Sequence, residues 1–203
     1  MGWGGGRTSP ALAKDAAEYV GVDYSPAMVE ACKEKFPQWR YVVMDAADLS
    51  AFDDNYFDLV VFSFNGLGNL YPDEQRRKCL RECRRVLKPN GLFIFSLHHA
   101  RSLFLRPPRI SGISELRALM GSLRQSLKRS FSRIWRPFYW SQNGYFNSGA
   151  HGGMLIYLAT PKVVHDQLDA MGYEVLNTVG DDYPARNFSC ITRWYYYAAR
   201  ARK

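Results

Sequence analysis

Residues 19–26, Tyr19-Val20-Gly21-Val22-Asp23-Tyr24-Ser25-Pro26, decide the fold. Tyr19 to Asp23 read as a short buried strand that ends in an acid. Ser25 then offers a side-chain oxygen to the free amides of a helix start, and Pro26 is tolerated in the first helical turn. The helix runs to about Phe36, before Pro37. A strand passing at once into a helix is the repeating step of a parallel sheet.

The step recurs on the C-terminal side. Tyr41 to Met44 form a second short strand, again followed by an acid, Asp45. Phe57 to Phe64 have the apolar character of a strand buried on both faces. Pro72-Asp73-Glu74 open another helix, in which Leu80, Cys83 and Leu87 recur at helical spacing. Lys88-Pro89-Asn90-Gly91 break it, and Leu92 to Leu97 form the next strand. Later come a strand near Met154–Leu158, a helix opened by Thr160-Pro161, and strands near Glu174–Val179 and Cys190–Ala198. The alternation predicts a three-layer α/β sandwich around a Rossmann-like, mainly parallel sheet.

The chain has 203 residues, 47% of them apolar, which suits one domain with a sizeable core. No secretory signal opens it, and no apolar run is long enough to cross a membrane. Cys32, Cys79, Cys83 and Cys190 are too few and too scattered for a disulfide framework, so a reduced, cytoplasmic setting is expected. The net charge of +8 is local: residues 101–137 carry nine Lys/Arg against Glu115 alone, and the rest of the chain is balanced. That marks a binding surface for an anionic substrate or an acidic membrane surface, with nucleic acid as a further anionic partner. From Ile113 to Trp135, Leu116, Met120, Leu123, Leu127, Phe131 and Ile134 line one helical face, with Arg124, Lys128 and Arg129 among the rest. Three segments follow: a nucleoside-binding core at 1–100, a basic insertion or lid at 101–150, and a sheet-completing segment at 151–203.

A nucleoside cofactor with a charged tail makes three demands at the carboxyl ends of parallel strands. Backbone must approach it closely, an acid must take the ribose hydroxyls, and a polar group must read the base. Gly2-Trp3-Gly4-Gly5-Gly6, Asp23 and Asp45-Ala46 supply these in order. A nicotinamide fingerprint fails, because Arg7 stands where its third glycine belongs.

The ordered set resembles the class I S-adenosylmethionine-dependent methyltransferase family. Gly2-x-Gly4-x-Gly6 is similar to its glycine loop, and Gly21-Val22-Asp23-Tyr24-Ser25 to its ribose-binding acid and helix start. Asp45-Ala46 is similar to the adenine-reading pair. Phe57-Asp58-Leu59-Val60-Val61 through Asn65-Gly66-Leu67-Gly68 resembles the fourth strand and the loop beside the methyl donor. Arg85-Val86-Leu87-Lys88-Pro89-Asn90-Gly91 resembles the turn into the fifth strand. The resemblance implies S-adenosylmethionine as cofactor, with contacts from Gly2, Gly4, Gly6, Asp23, Tyr24, Met28, Asp45, Ala46, Phe64 and Asn65. The family also places an apolar strand ending in an acid before the glycine loop, whereas Met1 here directly precedes Gly2. We expect that strand to be encoded in frame upstream, a truncated reading frame being a simpler account than a new fold.

The resemblance implies methyl transfer to an O, N or C nucleophile of a small-molecule substrate, with no metal required. His98 and His99, after the fifth strand, are candidate general bases, although a pair of ordinary loop histidines reads the same. His165, on a helix, is expected to be solvated. Cys79 and Cys83 read as core residues. Trp135, Phe138, Tyr139, Trp140 and Tyr145 suit either an aromatic pocket or the packing of the insertion. The alternative function is a non-catalytic, methyltransferase-like protein that binds RNA or an acidic membrane surface through its basic insertion.

Overall fold

The structure, a computed structural model, describes residues 6, 8–100, 143–147, 155–181, 183 and 192–202. The elements in chain order begin with α1 (Ser9–Ala13), β1 (Val20–Asp23), α2 (Pro26–Lys35), β2 (Arg40–Val43) and β3 (Phe57–Phe62). A short 3-10 turn (Gly66–Asn69) leads to α3 (Asp73–Val86) and β4 (Leu87–His99). Then come β5 (Asn143–Asn147), β6 (Leu155–Ala159), α4 (Pro161–Ala170), β7 (Tyr173–Gly180) and β8 (Trp194–Ala201). The basic segment 101–137, the helix expected at 113–135, Gly2, Gly4, His151 and Cys190 lie outside the described residues.

β1 and β2 form a parallel pair. The remaining strands form a six-stranded sheet in the order β5-β6-β4-β8-β7, with β3 also on β4. β3–β4 and β4–β6 are parallel, whereas β4–β8, β5–β6 and β7–β8 are antiparallel. The Rossmann-like α/β architecture is present, but its sheet is mixed rather than mainly parallel. The parallel pairs sit where strand and helix alternate, and hairpin-type pairs close the C-terminal half. β5 falls inside the segment expected to be an inserted lid, so part of 101–150 is a strand of the main sheet.

Three expected boundaries move for identifiable reasons. β3 stops at Phe62 because Phe64 and Asn65 both take left-handed backbone, with φ of 51° and 56°. β4 begins at Leu87, ahead of the expected Leu92. The Lys88–Gly91 turn lies within it as a bulge, since Phe57 pairs with Leu87 and Leu59 with Leu92. Asn90 there has φ 67°, and a side chain at Gly91 would sit 2.9 Å from the Lys88 carbonyl. β8 starts at Trp194 and not near Cys190.

Alternation along β4 and β8 divides the sheet's faces. Phe93, Phe95, Leu97, Tyr195, Tyr197, Ala199 and Ala201 are buried. They join one core with Cys79, Leu80 and Cys83 of α3 and Val164 and Leu168 of α4, so the cysteines are core residues as expected. Phe93 stacks on Phe95 at 4.8 Å and on Tyr173 at 5.5 Å, and Phe95 stacks on Tyr197 at 5.1 Å. On the opposite face Leu59, Leu92 and Tyr196 are exposed.

Phe93→Ala should destabilise the fold by about 3–5 kcal/mol, as loss of a buried aromatic does; a urea midpoint near the parent's would contradict the packing. Asn65→Ala should cost about 1–2 kcal/mol through the left-handed backbone, while Asn65→Gly stays close to the parent. Equal midpoints for the two variants would show that this backbone is relaxed.

Candidate functional site

The carboxyl ends of β1, β2 and β3 bring the expected residues to one edge. Asp23, the last residue of β1, is only 8% exposed. Its Oδ1 accepts the Ser25 amide at 3.0 Å. Ser25 Oγ accepts the Met28 amide at 3.4 Å, so the acid and the helix cap form one continuous turn. On the neighbouring strand the Met44 amide donates to the Asp23 carbonyl at 2.9 Å. That bond sets Asp45 two residues beyond the last ladder rung. Asp45 is exposed and its Oδ1 accepts the Ala47 amide at 2.8 Å, which leaves Ala46 half-buried beside it.

Gly6 closes on the same region. Its φ is +72°, and a Cβ there would lie 3.0 Å from the Phe36 ring and 3.3 Å from Cys32 Sγ. Only glycine meets both demands. The Thr8 and Ser63 hydroxyls are 3.4 Å apart, which ties the turn after Gly6 to the end of β3. Burial, with the Asp23 charge behind it, pushes the Cys32 thiol up, so it is no ready nucleophile.

The loop after β3 is the strained part. Phe64 is 48% exposed in its left-handed conformation. The Asn65 amide donates to Ser96 Oγ at 3.0 Å. Asn65 Oδ1 is buried and accepts no hydrogen bond from the described residues. Two successive non-glycine residues held with positive φ are a mark of functional loops. Tyr24, Met28 and Val43, like Phe64, are large apolar side chains open to water at this edge. Carboxylates at the ends of adjacent strands, flanked by exposed apolar groups, suit a polar ring system with one greasy face.

His98 and His99 belong to β4 itself and not to a loop after it. They consequently point to opposite faces. His99 is 2% exposed, with Nδ1 3.3 Å from the Thr192 carbonyl and its ring edge-on to Tyr195. His98 meets Trp194 edge-on at 6.1 Å, and burial holds its imidazole below the usual histidine range. His165 is not simply solvated: its Nε2 lies 2.8 Å from Thr178 Oγ1. Of the aromatic cluster only Tyr145 is described; its hydroxyl donates to the Leu70 carbonyl at 2.6 Å, so it braces the 3-10 turn. Ser63 and Ser96 went unnoticed as site residues, although a serine amid the apolar run of Leu92–Leu97 is a legible signal.

Comparison with known proteins agrees with this geometry. The family model for a methyltransferase domain matches residues 1–95. A demethylmenaquinone methyltransferase of Thermotoga maritima is 27% identical over 163 residues, 78% of this chain. The chain spans 60% of that relative's length. A solved S-adenosylmethionine-dependent methyltransferase of Methanosarcina mazei superposes with a TM-score of 0.68 at 16% identity, covering 99% of this chain and 90% of its own. The Burkholderia thailandensis 1,6-didemethyltoxoflavin-N1-methyltransferase, solved with 1,6-didemethyltoxoflavin and S-adenosylhomocysteine, superposes at 0.64 and 15% identity over 100% of this chain and 69% of its own. With the ordered motifs and the sheet carrying them, these matches bear out the resemblance to the class I S-adenosylmethionine-dependent methyltransferase family.

Proposed function

We propose that this protein transfers a methyl group from S-adenosylmethionine to an O, N or C nucleophile of a small-molecule acceptor. The observation that carries the reading is the placement of Asp23 and Asp45 at the carboxyl ends of paired parallel strands, beside the Gly6 turn. Asp23 would hold the ribose, and Asp45 with the Ala46 amide would hold adenine. Tyr24 and Met28 would cover the nucleoside's apolar face, and Gly6, with Gly2 and Gly4 of the same motif, would admit the amino-acid end. Phe64 and Asn65 would border the reacting centre. The buried Oδ1 of Asn65, which accepts no hydrogen bond from the described residues, is a polar group of the kind such a ligand satisfies.

The bound cofactor supplies a sulfonium methyl with a good leaving group. The chain's own work is therefore to position the acceptor and to exclude water. His98 is better placed than His99 to accept a proton from the acceptor, because His99 is committed to the core. Its imidazole, held neutral by burial, is an acceptor at pH 7. Among the described residues no helix is long and apolar enough to cross a membrane. The free thiols of Cys32, Cys79 and Cys83 favour a reduced cytoplasmic setting.

Asp23→Ala should weaken S-adenosylhomocysteine binding by about 1.5–3 kcal/mol, the range for a hydrogen bond to a charged group. Unchanged calorimetric affinity would remove Asp23 from the site. A second expectation concerns pH. The His98 imidazole is held below its ordinary 6.5, so on acidification through about 6.5 the unfolded chain takes up a proton that the folded chain refuses. This share of stability is whole above that pH and is lost below it. His98→Gln should narrow the gap between urea midpoints at about pH 7.5 and pH 5.5; an unaltered gap would show that His98 titrates normally.

A further inference from the structure

We propose that His98, Trp194 and Tyr196 form the acceptor platform of this enzyme and that it takes a planar aromatic methyl acceptor. The inference rests on the methyltransferase reading and names the substrate class for it. It begins with register. β4 and β8 are antiparallel, with Ser96 opposite Tyr196 and His98 opposite Trp194. Side chains directly opposite in such a pair project to the same face, with Cβ atoms about 4.5–5.5 Å apart. Their neighbours Leu97, His99, Tyr195 and Tyr197 fill the other face and are buried. Half-buried His98 and Trp194 and exposed Tyr196, with the buried Ser96 at their base, thus make one continuous patch on the more open side of the sheet.

The patch is rigid. Trp194 Nε1 donates to the Tyr196 hydroxyl at 3.1 Å. The His98 ring stands at 87° to the indole. The Arg193 guanidinium lies 4.6 Å from the Trp194 ring centre and donates to the nearly buried Asp181 carboxylate at 3.0 Å. Aromatic side chains locked in this way lose little conformational freedom when a ligand arrives. Tyr196 remains 45% exposed, an uncommon state for a large ring in a sheet interior. The patch also adjoins the cofactor edge. Ser96 accepts the Asn65 amide, so the strained loop of Phe64 and Asn65 ends one residue pair from Tyr196 and two from Trp194.

Chemistry then selects the occupant. Ring edges and faces attract another flat π-system beyond what area alone gives. Arg193, the cation that borders the patch among the described residues, is engaged by Asp181 and the indole, so it does not favour an anionic acceptor. His98 lies within the patch as a proton acceptor for a ring hydroxyl or ring N–H. A planar heteroaromatic or phenolic ring meets all of these features, and a saturated one forfeits the π contacts.

The test uses the full chain and two alcohols of like size, 2-naphthol and decahydro-2-naphthol, titrated calorimetrically with and without S-adenosylhomocysteine. The expected result is binding of 2-naphthol about ten-fold tighter than its saturated counterpart. Trp194→Leu and the more exposed Tyr196→Leu should each erase most of that preference, while S-adenosylhomocysteine affinity stays within about two-fold. Equal affinity for the two alcohols overturns the platform. So does a ring preference that survives both substitutions. Ring preference in a chain that binds no S-adenosylhomocysteine overturns the methyltransferase reading and with it the acceptor role.

Discussion

β4 joins β3, β6 and β8 into the larger sheet, and β5 and β7 attach to it through β6 and β8. β4 pairs with β3 along Leu87–Phe95, with β6 at His98 and His99, and with β8 from Leu92 to His98. Its inward residues Phe93 and Phe95 join the aromatic column that runs to Tyr173 and Tyr197. Tyr173 in turn donates to the Leu80 carbonyl at 3.1 Å, a buried bond that pins α3 to the sheet. Both sides of the site inherit their position from this strand. The β3 loop is set by Ser96, and the aromatic patch is set by the pairing of Ser96 and His98 with β8. A register slip of one residue would turn the patch into the core and the core outward.

A second constraint keeps the strained loop in place. Arg76 of α3 is 1% exposed, yet its guanidinium is fully engaged. It donates to Asp73 at 2.6 Å and to Gln167 at 3.0 Å and lies 3.8 Å from the Tyr157 ring centre. The Tyr157 hydroxyl accepts from both Asn143 and Gln167 at 2.8 Å. One buried cation therefore couples α3, α4, β5 and β6. A cation this deep is tolerated only when paired and hydrogen-bonded, and removing either partner is costly. The 3-10 turn packs against this assembly so closely that a side chain at Gly68 would sit 3.1 Å from the Tyr157 carbonyl. With the turn held from below and Tyr145 bonded to Leu70, positive φ at Phe64 and Asn65 is over-determined by its surroundings.

The strand ends and helix starts of the first half were legible because their signals are local. Ser25 caps α2, Asp23 and Asp45 end or follow their strands, and Pro161 opens α4 as the sequence indicates. Such features depend on residues within one turn of each other. The misread features depend on distant partners. Nothing in Lys88–Gly91 says that Phe57 will pair with Leu87 across the turn and make it a bulge. Nothing near Asn143 marks β5, whose ladder lies wholly on β6. His98 and His99 looked equivalent in sequence, and only membership of a strand separates them by face. The pairing of His98 with Trp194, 96 positions away, is equally invisible to periodicity.

The two halves of the proposed site are built by different means. The edge proposed to hold the nucleoside is made of β1, β2 and their turns, a pair of strands that shares no ladder with the larger sheet among the described residues. It is joined to that sheet by a common core containing Val22 and Ala47, by the Thr8–Ser63 contact and by the Tyr56 hydroxyl on Glu18. The aromatic patch comes instead from β4 and β8, and the family model ends at residue 95, just before Ser96 and His98. The match to the Thermotoga maritima relative, 163 residues long, runs on past that point at 27% identity overall. Trp194 and Tyr196 hydrogen-bond to each other, apart from the Asp23 turn and the Gly6 contact. The Asn65 amide on Ser96 Oγ fixes where the loop after β3 meets β4 whatever side chains stand on β8, so the proposed acceptor patch could vary while the fold is kept.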